Sequence, residues 1–249
     1  MESLSFLKYL IFIFFTLLLT ASASLSYALE PTLPAIIGQV VWVKGTLKAE
    51  LPNAETRVLV RRSAVYEHDK LMTEPASTGE VVFTDNSVLA LREDSIVQID
   101  HYRYGKGTTP NSDAFVANVA KGGFRTITGA ISKNNPGGYK AVTPVATIGV
   151  SGTIYSVYFN RLKGTLAAKL DKGIISISNE KGTLQLTKCD VNQINSRCVN
   201  QIYAEVNGTN VAPTVVSQQP AVFNAEPPLT ATAFPKPSGS GLVGSFCIN

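Results

Sequence analysis

Short apolar runs with a period of two, separated by polar turn formers, recur along most of the chain. Ile36-Ile37-Gly38-Gln39-Val40-Val41-Trp42-Val43 is rich in β-branched and aromatic residues and predicts a strand, with Gly45 as the turn after it and a return from Leu47. The clearest stretch follows later. Glu80-Val81-Val82-Phe83-Thr84 predicts a strand, Asp85-Asn86-Ser87 a turn, and Val88-Leu89-Ala90-Leu91 the return; Glu93-Asp94-Ser95 then turns into Ile96-Val97-Gln98-Ile99-Asp100. Ala114-Phe115-Val116-Ala117-Asn118-Val119 continues the series, as do strands beginning at Thr165, Ile174, Thr183 and Val199. Strands at roughly ten-residue spacing with polar turns between them specify an all-β architecture. Residues 121–159 form its centre: glycine-rich, poor in charge, alternating, and without a helical period.

Two wider features refine this picture. The unit Gly-Thr-Leu recurs at Gly45, Gly164 and Gly182, each time opening a strand. Recurrence of strand, glycine turn and strand predicts either stacked turns of a β-solenoid-like or rolled antiparallel sheet, or similar hairpins within one sheet. From Val211 the composition shifts to Pro213, Pro220, Pro227-Pro228, Pro235 and Pro237 among Ala, Ser, Thr and Gln. Such a segment has little apolar surface to offset its ordering entropy, so residues 211–249 are expected to be a flexible, disordered tail.

The N-terminus bears on compartment. Residues 9–19 (YLIFIFFTLLL) are continuously apolar, and Ala21-Ser22-Ala23 or Ser26-Tyr27-Ala28 offers a small-x-small cleavage site. This is the layout of a signal peptide over residues 1–28, with an uncleaved anchor as the alternative. The run is shorter than the ~20 residues that span a bilayer, and no later segment approaches that length. A periplasmic or secreted location follows. There Cys189 and Cys198, which flank the polar loop DVNQINSR, would pair as a disulfide. A metal site is the weaker reading, since no histidine or further cysteine lies near, and Cys247 is left over.

Composition and charge exclude more than they assign. The 249 residues are 45% hydrophobic and 16% charged, enough apolar material for a core. The net charge is +4, with Arg61-Arg62 as the sole adjacent basic pair, so the stripe a nucleic-acid surface needs is missing. His68 beside Asp69 and His101 beside Asp100 sit in no catalytic spacing. Asp94 and Asp100 lack a separation that sequence can supply, and Asp85-Asn86-Ser87 is too sparse for a calcium loop. Gly122-Gly123 and Gly137-Gly138 read as glycines for turns or close sheet packing rather than an anion cradle, no helix-opening phosphate motif following them. Tyr102, Tyr104, Tyr139, Tyr155 and Tyr158 could line a carbohydrate- or partner-facing stripe, though tyrosine is also an ordinary strand residue.

Asp69-Lys70-Leu71-Met72-Thr73, Phe83-Thr84-Asp85-Asn86-Ser87-Val88-Leu89, Lys121-Gly122-Gly123-Phe124-Arg125 and, most specifically, residues 139–153 (YKAVTPVATIGVSGT) resemble the FecR domain. The resemblance runs from about Gly38 to Asn160 and weakly to Asn210. It implies a β-domain over residues 36–210 with its core at 58–160, no catalytic residues and no cofactor, acting through contact with an envelope or secreted protein. A carbohydrate or cell-wall binding module is the alternative function, and an enzyme of unrecognised type the third. The family motif falls on Lys121, Gly122, Gly123, Phe124, Arg125, Thr143, Pro144, Ala146, Thr147, Ile148, Gly149, Gly152 and Thr153. Gly149 and Gly152 are expected to bracket a tight turn, with Pro144 at a strand start or edge. Ser151 stands where the family often has arginine, and the membrane helix that precedes the domain in the sigma-factor regulators is replaced here by the signal-like segment, which argues against direct sigma-factor control.

Overall fold

The computed structural model describes residues 34–52, 54–105, 112–188 and 203–230. Cys189, Cys198, Cys247, the signal-like residues 1–28 and residues 231–249 lie outside them, so the disulfide and the leader are expectations only. Among the described residues no helix is long and apolar enough to cross a membrane.

The chain is all-β. Its strands are β1 (Ile36–Lys44), β2 (Leu47–Glu50), β3 (Arg57–Leu59), β4 (Ala64–Tyr66), β5 (Lys70–Thr73), β6 (Thr78–Phe83), β7 (Val88–Leu91) and β8 (Ile96–Arg103). They continue with β9 (Ala114–Ile127), β10 (Tyr139–Val142), β11 (Thr147–Asn160), β12 (Thr165–Asn179), β13 (Gly182–Lys188), β14 (Tyr203–Asn207) and β15 (Thr214–Val216). Among the described residues the one α-helix is the short α1 (Ala130–Asn134) between β9 and β10, and a 3-10 turn covers Ala221–Asn224.

All fifteen strands belong to one sheet. Three of them are long, and each serves two half-sheets. The first part of β9 pairs with β8 and, in parallel, with β10, whereas its last residues pair with β7 and β11. β11 and β12 stay partnered along their length while their outer neighbours change, from β10 and β13 at one end to β9 and β14 at the other. The first half-sheet therefore runs β3-β2-β5-β8-β9-β10-β11-β12-β13, and the second β4-β1-β6-β7-β9-β11-β12-β14-β15. The halves face one another across the core. Phe83 of the second meets Phe115 of the first edge-on with ring centroids 5.0 Å apart, and Phe115 stacks on Tyr139 at 4.6 Å.

The bend between the halves is written in burial. In β9 the buried positions are Phe115, Ala117 and Val119 before the bend, and Phe124 and Thr126 after it; in β11 they change from Ile148 and Val150 to Thr153, Tyr155 and Val157. Each switch from one parity to the other marks a bulge, where one extra residue turns the strand over. A glycine at positive φ sits at each corner: Gly122 (66°), Gly152 (58°) and Gly173 (87°). Side-chain hydroxyls pin two of these corners. Ser95 Oγ accepts from the Gly123 amide at 2.9 Å, and Thr128 Oγ1 accepts from the Thr153 amide at 2.8 Å. A Cβ at Gly123 would overlap the Val157 carbonyl oxygen, so closeness of neighbouring strands excludes any side chain there.

Three expectations are corrected. Among the described residues the sheet is open, its halves ending at β3 and β13 and at β4 and β15, and is neither closed nor a solenoid. Of the two readings of the recurring Gly-Thr-Leu units, hairpin turns within one sheet holds at Gly164 (φ 62°) between β11 and β12 and at Gly182 (159°) between β12 and β13, whereas Gly45 (73°) turns the chain from β1 in one half-sheet into β2 in the other. No tight turn occurs at residues 149–152, because these lie within the continuous β11. The turn belongs to Thr143-Pro144-Val145-Ala146, where the Thr143 hydroxyl accepts from the Ala146 amide at 3.1 Å and the Thr143 amide donates to the Ala146 carbonyl at 3.0 Å. Finally, residues 211–230 are not a free tail. They supply β15 and the 3-10 turn, and Phe223 is buried at 3% exposure.

Candidate protein-binding edge

The chain turns sharply at Gly45 to pass from β1 into β2, and β3 then returns along β2 with Leu59 opposite Leu47 and Val58 opposite Lys48. Among the described residues β3 has no partner on its other side, so its outer backbone groups form a sheet edge. Alternation sends Leu59 into the core at 2% exposure and leaves Val58 and Val60 outside at 65% and 62%. The loop beyond β3 is fastened to β1: the Arg62 amide donates to the Val40 carbonyl at 2.8 Å, and the Val40 amide donates to the Ser63 carbonyl at 2.9 Å. Between this loop and the β1–β2 corner lies an open groove of about 350 Å³, lined by Trp42, Val43, Gly45, Thr46, Val58, Leu59, Val60 and Arg61. It offers aliphatic and aromatic surface, a free strand edge and cationic Arg61 at its rim. Such an edge can take an extended chain as an added strand, with side chains seated in the groove. It presents no acid–base pair.

The sequence candidates fall elsewhere. His68 is exposed at a turn, and exposed His101 lies 3.1 Å from Glu67. Asp94 is engaged by Lys121 at 2.5 Å. Asp85 is buried, and its carboxylate accepts from the Ser87 amide at 3.0 Å, the Ser87 hydroxyl at 2.6 Å and the Ile131 amide at 3.3 Å. Those oxygens tie the β6–β7 hairpin to α1 and are spent on protein donors. Among the described residues no group of three or more His, Cys, Asp or Glu is placed to hold a metal ion. The tyrosine stripe dissolves: Tyr102, Tyr139 and Tyr155 are core residues, and burial pushes each hydroxyl's pKa above the usual phenol value.

The family motif residues build the frame. Lys121, Gly122, Gly123, Phe124 and Arg125 make the corner of β9, with Phe124 in the core at 0% exposure and Arg125 on the outer face. Thr143, Pro144 and Ala146 make the β10–β11 turn, Thr147, Ile148 and Gly149 open β11, and Gly152 and Thr153 are its corner. No motif residue lines the groove. The groove itself was not anticipated as a site. Its signal was the triplet Val58-Leu59-Val60 between Arg57 and Arg61: three apolar residues in a short strand cannot all face one core.

Residues 69–183, just under half of the chain, match the family model described as FecR protein. The groove residues precede that match. No curated protein matches the chain significantly. Among solved structures, the chain is similar to two crystal structures of a "putative anti-sigma factor" from Parabacteroides distasonis ATCC 8503. The one at 2.50 Å resolution has 14% identity and a TM-score of 0.44, and the one at 1.65 Å has 15% and 0.43. Each likeness covers 59% of this chain and 58% of the other, so the chain spans under two thirds of those neighbours.

Proposed function

We propose that the chain, whose residues 69–183 match the FecR family model, is an exported, non-enzymatic regulatory module that binds an envelope or secreted protein through the β3 edge. The observation that carries this reading is a strand edge, unpartnered among the described residues, with two solvent-exposed valines over a groove holding Trp42. The partner it fits is an extended segment with apolar side chains two residues apart and a carboxylate placed to reach Arg61, since pockets for alternate side chains give specificity to an added strand. Export rests on the apolar run at residues 9–19 and the small residues after it. Carbohydrate binding is the less favoured reading, because three of the five tyrosines that would form a sugar platform are in the core.

The test is retention of partners from envelope extract on immobilised chain. The wild type is expected to hold a protein that the double variant Val58→Asp, Val60→Asp releases, both having the same unfolding midpoint. Retention of the same proteins by both, or tight binding of glycan strands without any protein partner, would overturn the proposal. Intact-mass measurement of the mature chain tests export separately, with loss of about the first 28 residues expected.

A further inference from the structure

The outer face of the second half-sheet already carries a peptide. Glu80 lies opposite Ala90, Ala90 opposite Arg125, Arg125 opposite Ser156, and Ser156 opposite Lys169, so a row that is polar but for Ala90 crosses five strands on the side away from the core. Outer-face residues on a sheet are normally wet, yet Glu80 and Ser156 are 0% exposed. They are covered by residues 220–230 of the same chain, which join no strand ladder.

Side chains of the sheet grip that segment at three points. Arg92 donates to the carbonyl of Val222 and, at 3.0 Å, to that of Ala225. The Glu226 carboxylate accepts from Lys169 at 2.7 Å and from the Ser156 hydroxyl, and lies 3.8 Å from Arg125 Nε. Glu80 accepts from the Thr230 amide at 2.9 and 3.1 Å and from its hydroxyl. The face thus reads carbonyls, then a carboxylate, then an N–H in a fixed order and direction. Between the last two points stand Pro227 and Pro228, which have no N–H to satisfy and a fixed φ, so the occupant is extended in advance. Because the sheet holds the segment by side chains rather than by a ladder, it can open without unfolding the strands beneath.

We propose that this face is a binding site for an extended, proline-containing protein segment with one carboxylate, and that residues 220–230 are its resident intramolecular occupant, displaced by a partner segment of the same chemistry. The site is separate from the β3 edge and stands or falls without it. Tethering gives the resident segment a high effective concentration, so a free peptide competes poorly until the tether's own contacts are broken.

The test uses the full chain and a fluorescent peptide of residues 219–231, read by anisotropy. In the Glu226→Lys chain the resident segment brings a like charge to Lys169 and Arg125. That variant is expected to bind the peptide at least tenfold more tightly than the wild type, and a peptide with the same Glu226→Lys change is expected to bind neither chain. Equal binding of the unaltered peptide by both chains, or none by either, overturns the proposal. Hydrogen exchange on the wild type decides the matter should the variant fail to fold. The Thr230 amide, which docks the segment by donating to Glu80, exchanging at least tenfold faster than the paired amides of β11 supports a displaceable occupant; equal protection marks a fixed part of the fold and overturns the proposal.

Discussion

Tyr155 and Tyr102 are both core tyrosines, and they predict opposite outcomes on losing a hydroxyl. Tyr155 is fully buried, and among the described residues its hydroxyl has no hydrogen-bond partner. Tyr102 Oη accepts from the Asp85 amide at 2.9 Å and lies 2.8 Å from Thr84 Oγ1. An unmade buried hydrogen bond costs about 1–3 kcal/mol, whereas a made one leaves an orphan when its partner is removed. Tyr155→Phe is therefore expected to keep or raise stability by up to about 1 kcal/mol, and Tyr102→Phe to lower it by about 1–3 kcal/mol. Urea unfolding of the two variants checks both signs. The same residues show why orientation was hard to read from the sequence. Counting by twos from Ile148 and Val150 puts Ser156 inside and Tyr155 outside. The bulge at Gly152 inverts that count, so Tyr155 enters the core and Ser156 meets the C-terminal segment.

At the scale of elements, the long strands depend on their corners. Gly173 has a φ of 87°, and a Cβ there would overlap the Gly152 carbonyl oxygen. Gly149, three residues before the Gly152 corner of β11, has nothing within 4 Å of its Cβ position and no positive φ. Gly173→Ala is expected to cost more than about 2 kcal/mol, while Gly149→Ala stays within about 0.5 kcal/mol or stabilises, since glycine is an entropic liability in a strand. Thermal unfolding separates the two, and equal losses would remove the corner argument. The motif around these glycines was legible in the sequence, and so was each hairpin turn with an Asx or glycine signal, as at Asp85-Asn86-Ser87. Its structural meaning was not. A glycine at positive φ serves a tight turn and a mid-strand bulge alike, and only the partner strands decide which forms.

For the whole molecule, the buried phenols and one amine set the response to alkali. Burial raises the pKa of Tyr102, Tyr139 and Tyr155. Burial draws the Lys169 ammonium down, but its hydrogen bond to Glu226 and the nearby Asp171 leave it above its usual value. Each group keeps its proton in the folded state at a pH where the unfolded chain has released it. Stability is then full below the unfolded values, about pH 10, and falls as pH climbs from there toward the folded values. The urea midpoint is expected to be flat up to about pH 9.5 and to drop beyond it; a midpoint unchanged at about pH 11 would contradict these assignments. All-β class could be read along the chain because strand and turn signals are local. The packing of residues 211–230 could not, since it depends on pairs 130 and 150 residues apart, Arg92 with Val222 and Glu80 with Thr230, which a proline-rich composition conceals. The open sheet has a further consequence, in the behaviour of concentrated solutions. Among the described residues its free edges β3, β4 and β15 are three residues each, and the longer β13 turns exposed Thr183 and Gln185 to solvent. Fibre growth needs six or seven residues of unbroken, apolar pairing. Edges this short admit one partner reversibly and give a second copy nothing on which to propagate.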